Sequence, residues 1–147
     1  MIKMTQNRSG CPISSSLEII GDTWSLLIIR DLFLQRTTFS EFMNSPEKIS
    51  SNILTNRLKK LLNFNLIEFY RDPNDKKVKK YFLTAAGIDL YPLIYNISIW
   101  SKKHLDIEYN NIALDWYKEN LKKTPGQTIG DDIKIYENFK ESTLKYF

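Results

Sequence analysis

Asn52, Thr55, Asn56 and Lys59 fall within the stretch SSNILTNRLKKLL, residues 50–62, which contains no Asp and no Glu. Three are short amide or hydroxyl side chains and the fourth is a flexible cation. An amide can exchange two hydrogen bonds with the edge of an adenine, and a threonine methyl can meet the methyl of thymine. Lysine, and the free N–H groups at a helix start, suit phosphate. A carboxylate among them would repel that phosphate. The same residues would equally suit a plain solvated helix face, so their spacing matters. Advancing about 100° per residue from Leu54 places Leu58, Leu61 and Leu62 within about 80° of it. Asn52, Thr55, Asn56, Lys59 and Asn63 gather on the opposite side. The stretch is therefore apolar behind and hydrogen-bonding in front. Ser50 is a good N-cap, and Asn65 can end the helix in the left-handed conformation. Ser50 and Ser51 keep two readings, as caps alone or as the start of a phosphate-holding helix.

The formal charge is +4, and its distribution says more than its size. Arg57, Lys59, Lys60, Arg71, Lys76, Lys77, Lys79 and Lys80 are opposed in the same span only by Glu68, Asp72 and Asp75. A basic middle in a near-neutral chain points to a local polyanion site. The bland counterpart is a solvated lysine-rich face. The length of 147 residues fits one domain with or without an appendage, and 42% apolar residues suffice for a core. No apolar run is long enough to span a membrane, and the opening MIKMTQNRSGCP has no apolar signal core. A cytoplasmic protein with no membrane partner is the expectation. Cys11 is the single cysteine, which excludes an internal disulfide framework, and no Cys/His cluster has zinc-site spacing. No metal and no cofactor is expected. There is no phosphate loop, no Ser/His/Asp set and no pair of carboxylates on one face, so an enzyme is not expected. His104, the only histidine, reads as a surface residue near a helix end.

The elements around that stretch follow from local signals. SSSLEIIGDTW reads as a short helix capped by Ser14 or Ser15, closed by Gly21, with Leu17 and Ile20 inward. Asp22 or Thr23 can cap WSLLIIRDLFLQ, whose apolar residues nearly surround it, as in a central buried helix. RTTF is short and β-favouring. FSEFMNSPEK reads as a third short helix ended by Pro46. After residues 50–64, LIEFYR and VKKYFLT read as strands joined by the turn DPNDKK, a hairpin with a basic tip. Thr84 then caps a long helix, AAGIDLYPLIYNISIWSKKHL, that Pro92 should kink. Leu105, Tyr109, Ile112 and Trp116 recur at helical spacing. TPGQTIGDD is expected to break that helix, and IKIYENFKESTLKYF to form the last one with Tyr136, Phe139 and Phe147 on a face.

A helix, a short helix, a polar-faced helix and a basic hairpin, in that order, make a winged helix-turn-helix. The major groove accepts one α-helix, and the hairpin, or wing, lies along the neighbouring backbone. The fold class expected is mainly α with a small β-hairpin wing, a long kinked dimerisation helix and a helical C-terminal extension. Residues 1–104 form the DNA-binding and dimerisation domain in this reading, and residues 105–147 form the extension.

The chain also resembles the HxlR-type regulators, which are related to the MarR group. CPISSSLEIIGDTW resembles the family's opening, and LLIIRDL and FSEFM its next two helices. ISSNILTNRLKKLLNFNLI resembles its recognition helix and the turn into the wing. YFLTAAGIDLYPLIYNISIW resembles its strand, Leu-Thr-x-x-Gly start and long helix with Pro and then Trp. The likeness spans roughly residues 11–104. The chain departs from the pattern at Thr23, Thr38 and Asn65, where the family favours a basic residue, Arg and Gly. The resemblance implies a homodimeric transcriptional regulator that binds an inverted-repeat operator in double-stranded DNA, responsive to redox state or to a small-molecule effector of unknown identity. The rival is a winged-helix protein-interaction module without DNA binding. Ser50, Ser51, Asn52, Thr55, Asn56, Lys59, Arg71, Lys76, Lys77 and Lys79 are the expected DNA contacts. Leu90, Leu93, Ile94, Ile97 and Trp100 are the expected dimer contacts. The resemblance also marks Cys11 as a redox-sensing candidate, by a bridge between two copies, a sulfenic acid or a mixed disulfide. Its alternative is a small buried residue at the dimer interface.

Overall fold

A computed structural model describes residues 1–5 and 8–147. In chain order the elements are α1 (Pro12–Ile20), α2 (Ser25–Phe33), α3 (Phe39–Met43), α4 (Ser51–Asn63), β1 (Ile67–Arg71), β2 (Lys79–Leu83), α5 (Ala85–Ile88), α6 (Tyr91–His104), α7 (Asn111–Asn120) and α8 (Pro125–Leu144). The two strands pair antiparallel, with Ile67 opposite Leu83 and Arg71 opposite Lys79. The fold is thus mainly helical with a two-stranded wing, the winged helix-turn-helix expected. Among the described residues no helix is long and apolar enough to cross a membrane.

One core joins the elements. Ile28, Ile29 and Leu32 of α2 meet Phe42 of α3, Leu54, Leu58 and Leu61 of α4, Ile67 of β1 and Leu83 of β2. Each such leucine or isoleucine contributes about 1.5–3 kcal/mol when fully buried. Asp31 is buried among them and is held by Arg30 at 2.8 Å, by Arg36 at 2.9 Å and by the Ser45 hydroxyl. This network ties α2 to the turn after α3. RTTF extends the sheet slightly, through a single bridge from Thr38 to Lys80 and a bond from the Tyr81 N–H to the Thr37 carbonyl at 2.7 Å. Asn65 takes φ 53°, so the left-handed exit from α4 is realised at the residue expected.

Several local expectations are corrected. Helix α1 begins at Pro12, before Ser14 and Ser15, because a proline in the first turn needs no N–H and brings a helical φ. Leu17 is exposed rather than inward, and only Ile20 of α1 is fully buried. Helix α3 stops at Met43, ahead of Pro46. The segment from Thr84 is divided rather than merely bent: α5 ends at Ile88, and α6 restarts with Pro92 in its first turn. Proline has no N–H to offer the Ile88 carbonyl, so the chain breaks before it and uses it as a starter. Leu105 and Tyr109 lie outside α7, whose start is fixed by the Asn110 side chain accepting from the Ala113 N–H at 2.9 Å.

The largest correction concerns TPGQTIGDD. It opens α8 instead of breaking a helix. The Thr124 hydroxyl accepts from the Gln127 N–H, and the Gln127 side chain accepts from the Thr124 N–H, a reciprocal capping box with Pro125 just inside. The break is the short segment after Asn120. Helix α8 then runs 20 residues and inserts Tyr136 completely into the core.

Gly87 sets how closely α5 approaches the turn into the wing. A Cβ there would stand 2.1 Å from the Leu66 carbonyl oxygen, so any side chain would push the two apart.

Candidate nucleic-acid interface

Helix α4 is built as its periodicity demands. The Ser50 hydroxyl accepts from the Ile53 N–H at 3.3 Å and fixes the first turn. Leu54, Leu58 and Leu61 are buried, whereas Ser51, Asn52, Thr55, Asn56 and Lys59 are exposed. The Thr55 hydroxyl donates to the Ser51 carbonyl at 2.8 Å, which leaves its methyl as the group to meet a ligand.

The basic run divides into two sets that the sequence presents as one. Arg57 and Lys60 turn back to Asp22, at 3.0 Å and 3.5 Å, and lock α4 to the start of α2. Lys80 is tied to Asp72 at 2.9 Å. Lys59, Lys76 and Lys77 are exposed, and Lys79 rests its ammonium over the Phe69 ring at 4.4 Å. Arg71 donates to the Lys76 carbonyl at 2.8 Å and so braces the tip of the wing. The Asp72 and Asp75 side chains accept from the Asn74 and Lys77 N–H groups, at 2.8 Å and 3.0 Å, and fold the turn between the strands.

Asp22 does two things at once. Its carboxylate accepts from the Trp24 N–H at 2.9 Å and the Ser25 N–H at 3.0 Å, in the turn that leads into α2, and from the Ser25 hydroxyl; the N-cap itself is Trp24, one residue past the expected Asp22 or Thr23. Burial opposes its ionisation. The Ser25 hydroxyl, the two amides and the Arg57 charge outweigh that and bring its pKa down from 3.8 to about 2. Glu41 is likewise held ionised: burial raises its pKa, but bonds from the Thr37 and Thr38 N–H groups lower it further, and it completes a capping box with Thr38. Thr38 therefore has a structural task in place of the arginine seen in the pattern it resembles.

The wing is also held from behind, by residues no motif announces. The Leu83 N–H donates to the Tyr136 hydroxyl at 2.7 Å, and the Lys140 ammonium donates to the Leu83 carbonyl and to Glu68, each at 2.7 Å. Both backbone groups of Leu83 are thus satisfied by α8. Phe139 and Phe147 pack near Phe82. The aromatic spacing of Tyr136 and Phe139 in the sequence was the available signal, but it pointed to a helix face without naming its partner.

The expected dimer residues divide as well. Leu90 and Ile94 pack against the core. Leu93, Ile97 and Trp100 remain 39%, 47% and 57% exposed, along one side of α6. Ile13 and Leu17 of α1 are exposed too. Cys11 is an exposed free thiol at the N-cap of α1. His104 ends α6 and lies against Trp100.

Comparison with known proteins agrees with this geometry. A family model described as HxlR-like helix-turn-helix matches residues 19–109. The HTH-type transcriptional regulator YdeP of Bacillus subtilis (strain 168) is 32% identical over 99 residues, covering 66% of this chain and 76% of that protein. The crystal structure of the transcription factor PA1607 superposes with a TM-score of 0.63 at 32% identity, over 71% of this chain and 72% of that one. A MarR-family transcriptional regulator from Porphyromonas gingivalis W83 does so with a TM-score of 0.59 at 25% identity, over 69% of this chain and all of the other.

Proposed function

The chain belongs to the HxlR-like helix-turn-helix family of transcriptional regulators, and from that premise we propose that it acts as a homodimer on an inverted-repeat DNA operator. Helix α4 enters the major groove. Asn52, Thr55 and Asn56 face base edges there, and Lys59 and the start of the helix at Ser50 and Ser51 face phosphate. The wing brings Lys76, Lys77 and Lys79 to the adjacent backbone, with Arg71 holding its tip. The carrying observation is the sorting of charge on α4. Its paired cations lie behind, against Asp22, and its exposed face keeps uncharged hydrogen-bonding groups with Lys59.

Leu93, Ile97 and Trp100 of α6, with Ile13 and Leu17 of α1, supply the dimer contact. Two copies related by a two-fold axis would set two α4 helices one DNA turn apart, which requires a palindromic site. Such a protein works where the chromosome is, in the cytoplasm. Cys11, exposed beside the proposed dimer contact on α1, is where oxidation would enter this reading.

The test is to incubate the purified protein with fragments of its host's genomic DNA, sequence what is retained, and titrate binding with salt. A shared inverted repeat and a steep fall of affinity with salt are expected. Retained fragments without a common motif, bound independently of salt, would favour the protein-interaction module instead.

A further inference from the structure

Helix α6 has a second side, turned away from Leu93, Ile97 and Trp100. There it borders a cavity of about 330 Å³ closed by α2 and by the two C-terminal helices. That volume is within the range of small-molecule sites, about 300–1,000 Å³. Its walls are aromatic: Phe33, Tyr91, Tyr95, Trp116 and Tyr117 line it. Phe33 meets Tyr91 edge to face with centroids 4.8 Å apart, and Tyr95 meets Trp116 in the same way at 5.8 Å.

The charges lining the cavity are of two kinds. Arg30 and Arg36 stand on one side with Glu47. Arg30 grips Glu47 through two bonds, at 2.6 Å and 3.0 Å, and both arginines bind Asp31, so this group is neutralised from within. Asp132 is different. Its Oδ2 accepts from the Tyr91 hydroxyl and from the Trp116 indole N–H at 3.0 Å, both neutral donors. Among the described residues no Lys, Arg or His pairs with it, and both bonds end on the same oxygen. Burial, then the hydrogen bond to Asp132 and its charge, push the ionisation of Tyr91 far above its usual range, so Tyr91 keeps its proton and stays a donor.

We propose that this cavity binds an organic cation with an aromatic or branched apolar body, its charge beside Asp132 and its body against the Trp116 and Tyr95 rings. A carboxylate without a cationic partner, set in an aromatic wall, attracts such a cation by direct charge and by the ring quadrupoles together. Trp116, Tyr117 and Asp132 lie beyond the residues 19–109 that the family model matches, so the wall that carries the unpaired carboxylate comes from the C-terminal helices outside that match. A guest there touches the helix whose opposite face carries the proposed dimer contact, which gives it a route to the DNA-binding state. Binding itself is measured without DNA, so its outcome stands apart from the regulator reading.

The experiment titrates the full chain with phenyltrimethylammonium, its uncharged isostere tert-butylbenzene and the anion benzenesulfonate, followed by tryptophan fluorescence. The cation should bind at least about tenfold more tightly than the isostere. Asp132→Asn keeps an oxygen for Tyr91 and Trp116 to donate to, and should cut that preference to the part the rings alone supply. No cation binding, equal binding of the isostere, or tighter binding of benzenesulfonate would overturn the proposal. So would a cation preference that is undiminished in Asp132→Asn. The three-probe comparison on the unmodified chain decides the matter even if the variant fails to fold.

Discussion

Helices α4 and α6 are each anchored on one side and bare on the other, yet their bare sides are chemical opposites. On α4 the exposed residues are Ser51, Asn52, Thr55, Asn56 and Lys59. On α6 they include Leu93, Ile97 and Trp100. Water satisfies the first set and gains nothing from the second. A face of amides and one lysine waits for a partner that offers hydrogen bonds and negative charge. A face of Leu, Ile and Trp waits for one that excludes water. In the proposed dimer the same molecule needs both, since pairing through α6 is what sets two α4 helices at a fixed distance. The anchoring also differs. Arg57 and Lys60 hold α4 from behind by ion pairs, and α6 is held by Tyr91 and Tyr95 in an aromatic cluster.

The largest effect should come from charging the apolar face. Ile97→Asp puts a carboxylate where two copies would meet. It should weaken dimerisation about 100-fold or more while leaving helicity intact, because Ile97 is exposed in the single chain. Light scattering at micromolar concentration should pass from a two-subunit mass to one. Persistent dimers would move the interface away from α6.

Removing a reader from α4 should cost less. Asn56→Ala is expected to lose about 1–3 kcal/mol at the operator and little on random duplex. Equal losses on both DNAs would make Asn56 part of a solvated face. A smaller and less selective effect is expected on the wing. Lys77→Ala should weaken operator and random DNA alike and lower the salt slope by about 0.9, one phosphate contact. If it removed operator preference instead, the roles given to α4 and the wing would have to be exchanged.

The smallest effect concerns the anchor behind α4. The folded pKa of Asp22 lies below its unfolded value, about 2 against 3.8. The stability it contributes is present above about pH 4 and is lost as pH falls toward about 2. Asp22→Asn should therefore be less stable than the unmodified protein at neutral pH, and the difference should shrink across that acid window. Melting temperatures of both proteins between pH 5 and pH 2 check this. A gap that stays constant would mean that the loss does not come from the Asp22 charge.

What the sequence determined by itself is local. The apolar side of α4, its Ser50 cap, the left-handed Asn65 and the basic hairpin all depend on residues within a turn or two of each other, so periodicity and turn chemistry suffice to find them. The capping box at Thr124 is as local as these, but TPGQTIGDD carries a proline and two glycines that signal a break just as locally, and the proline in fact starts the helix. Only the tertiary structure decided which cations are spent and which are left. Asp22 and Arg57 are far apart in sequence: the periodicity of α4 sets Arg57 toward the apolar side and Lys59 opposite, but it does not name the acid that Arg57 meets. The same holds for Tyr136 and Lys140, which reach back to Leu83, and for Asp132, which meets Tyr91 across the cavity. Pattern along a helix fixes which side is apolar. Charge pairing and cavities arise where distant segments meet, and that is settled by how the whole chain packs.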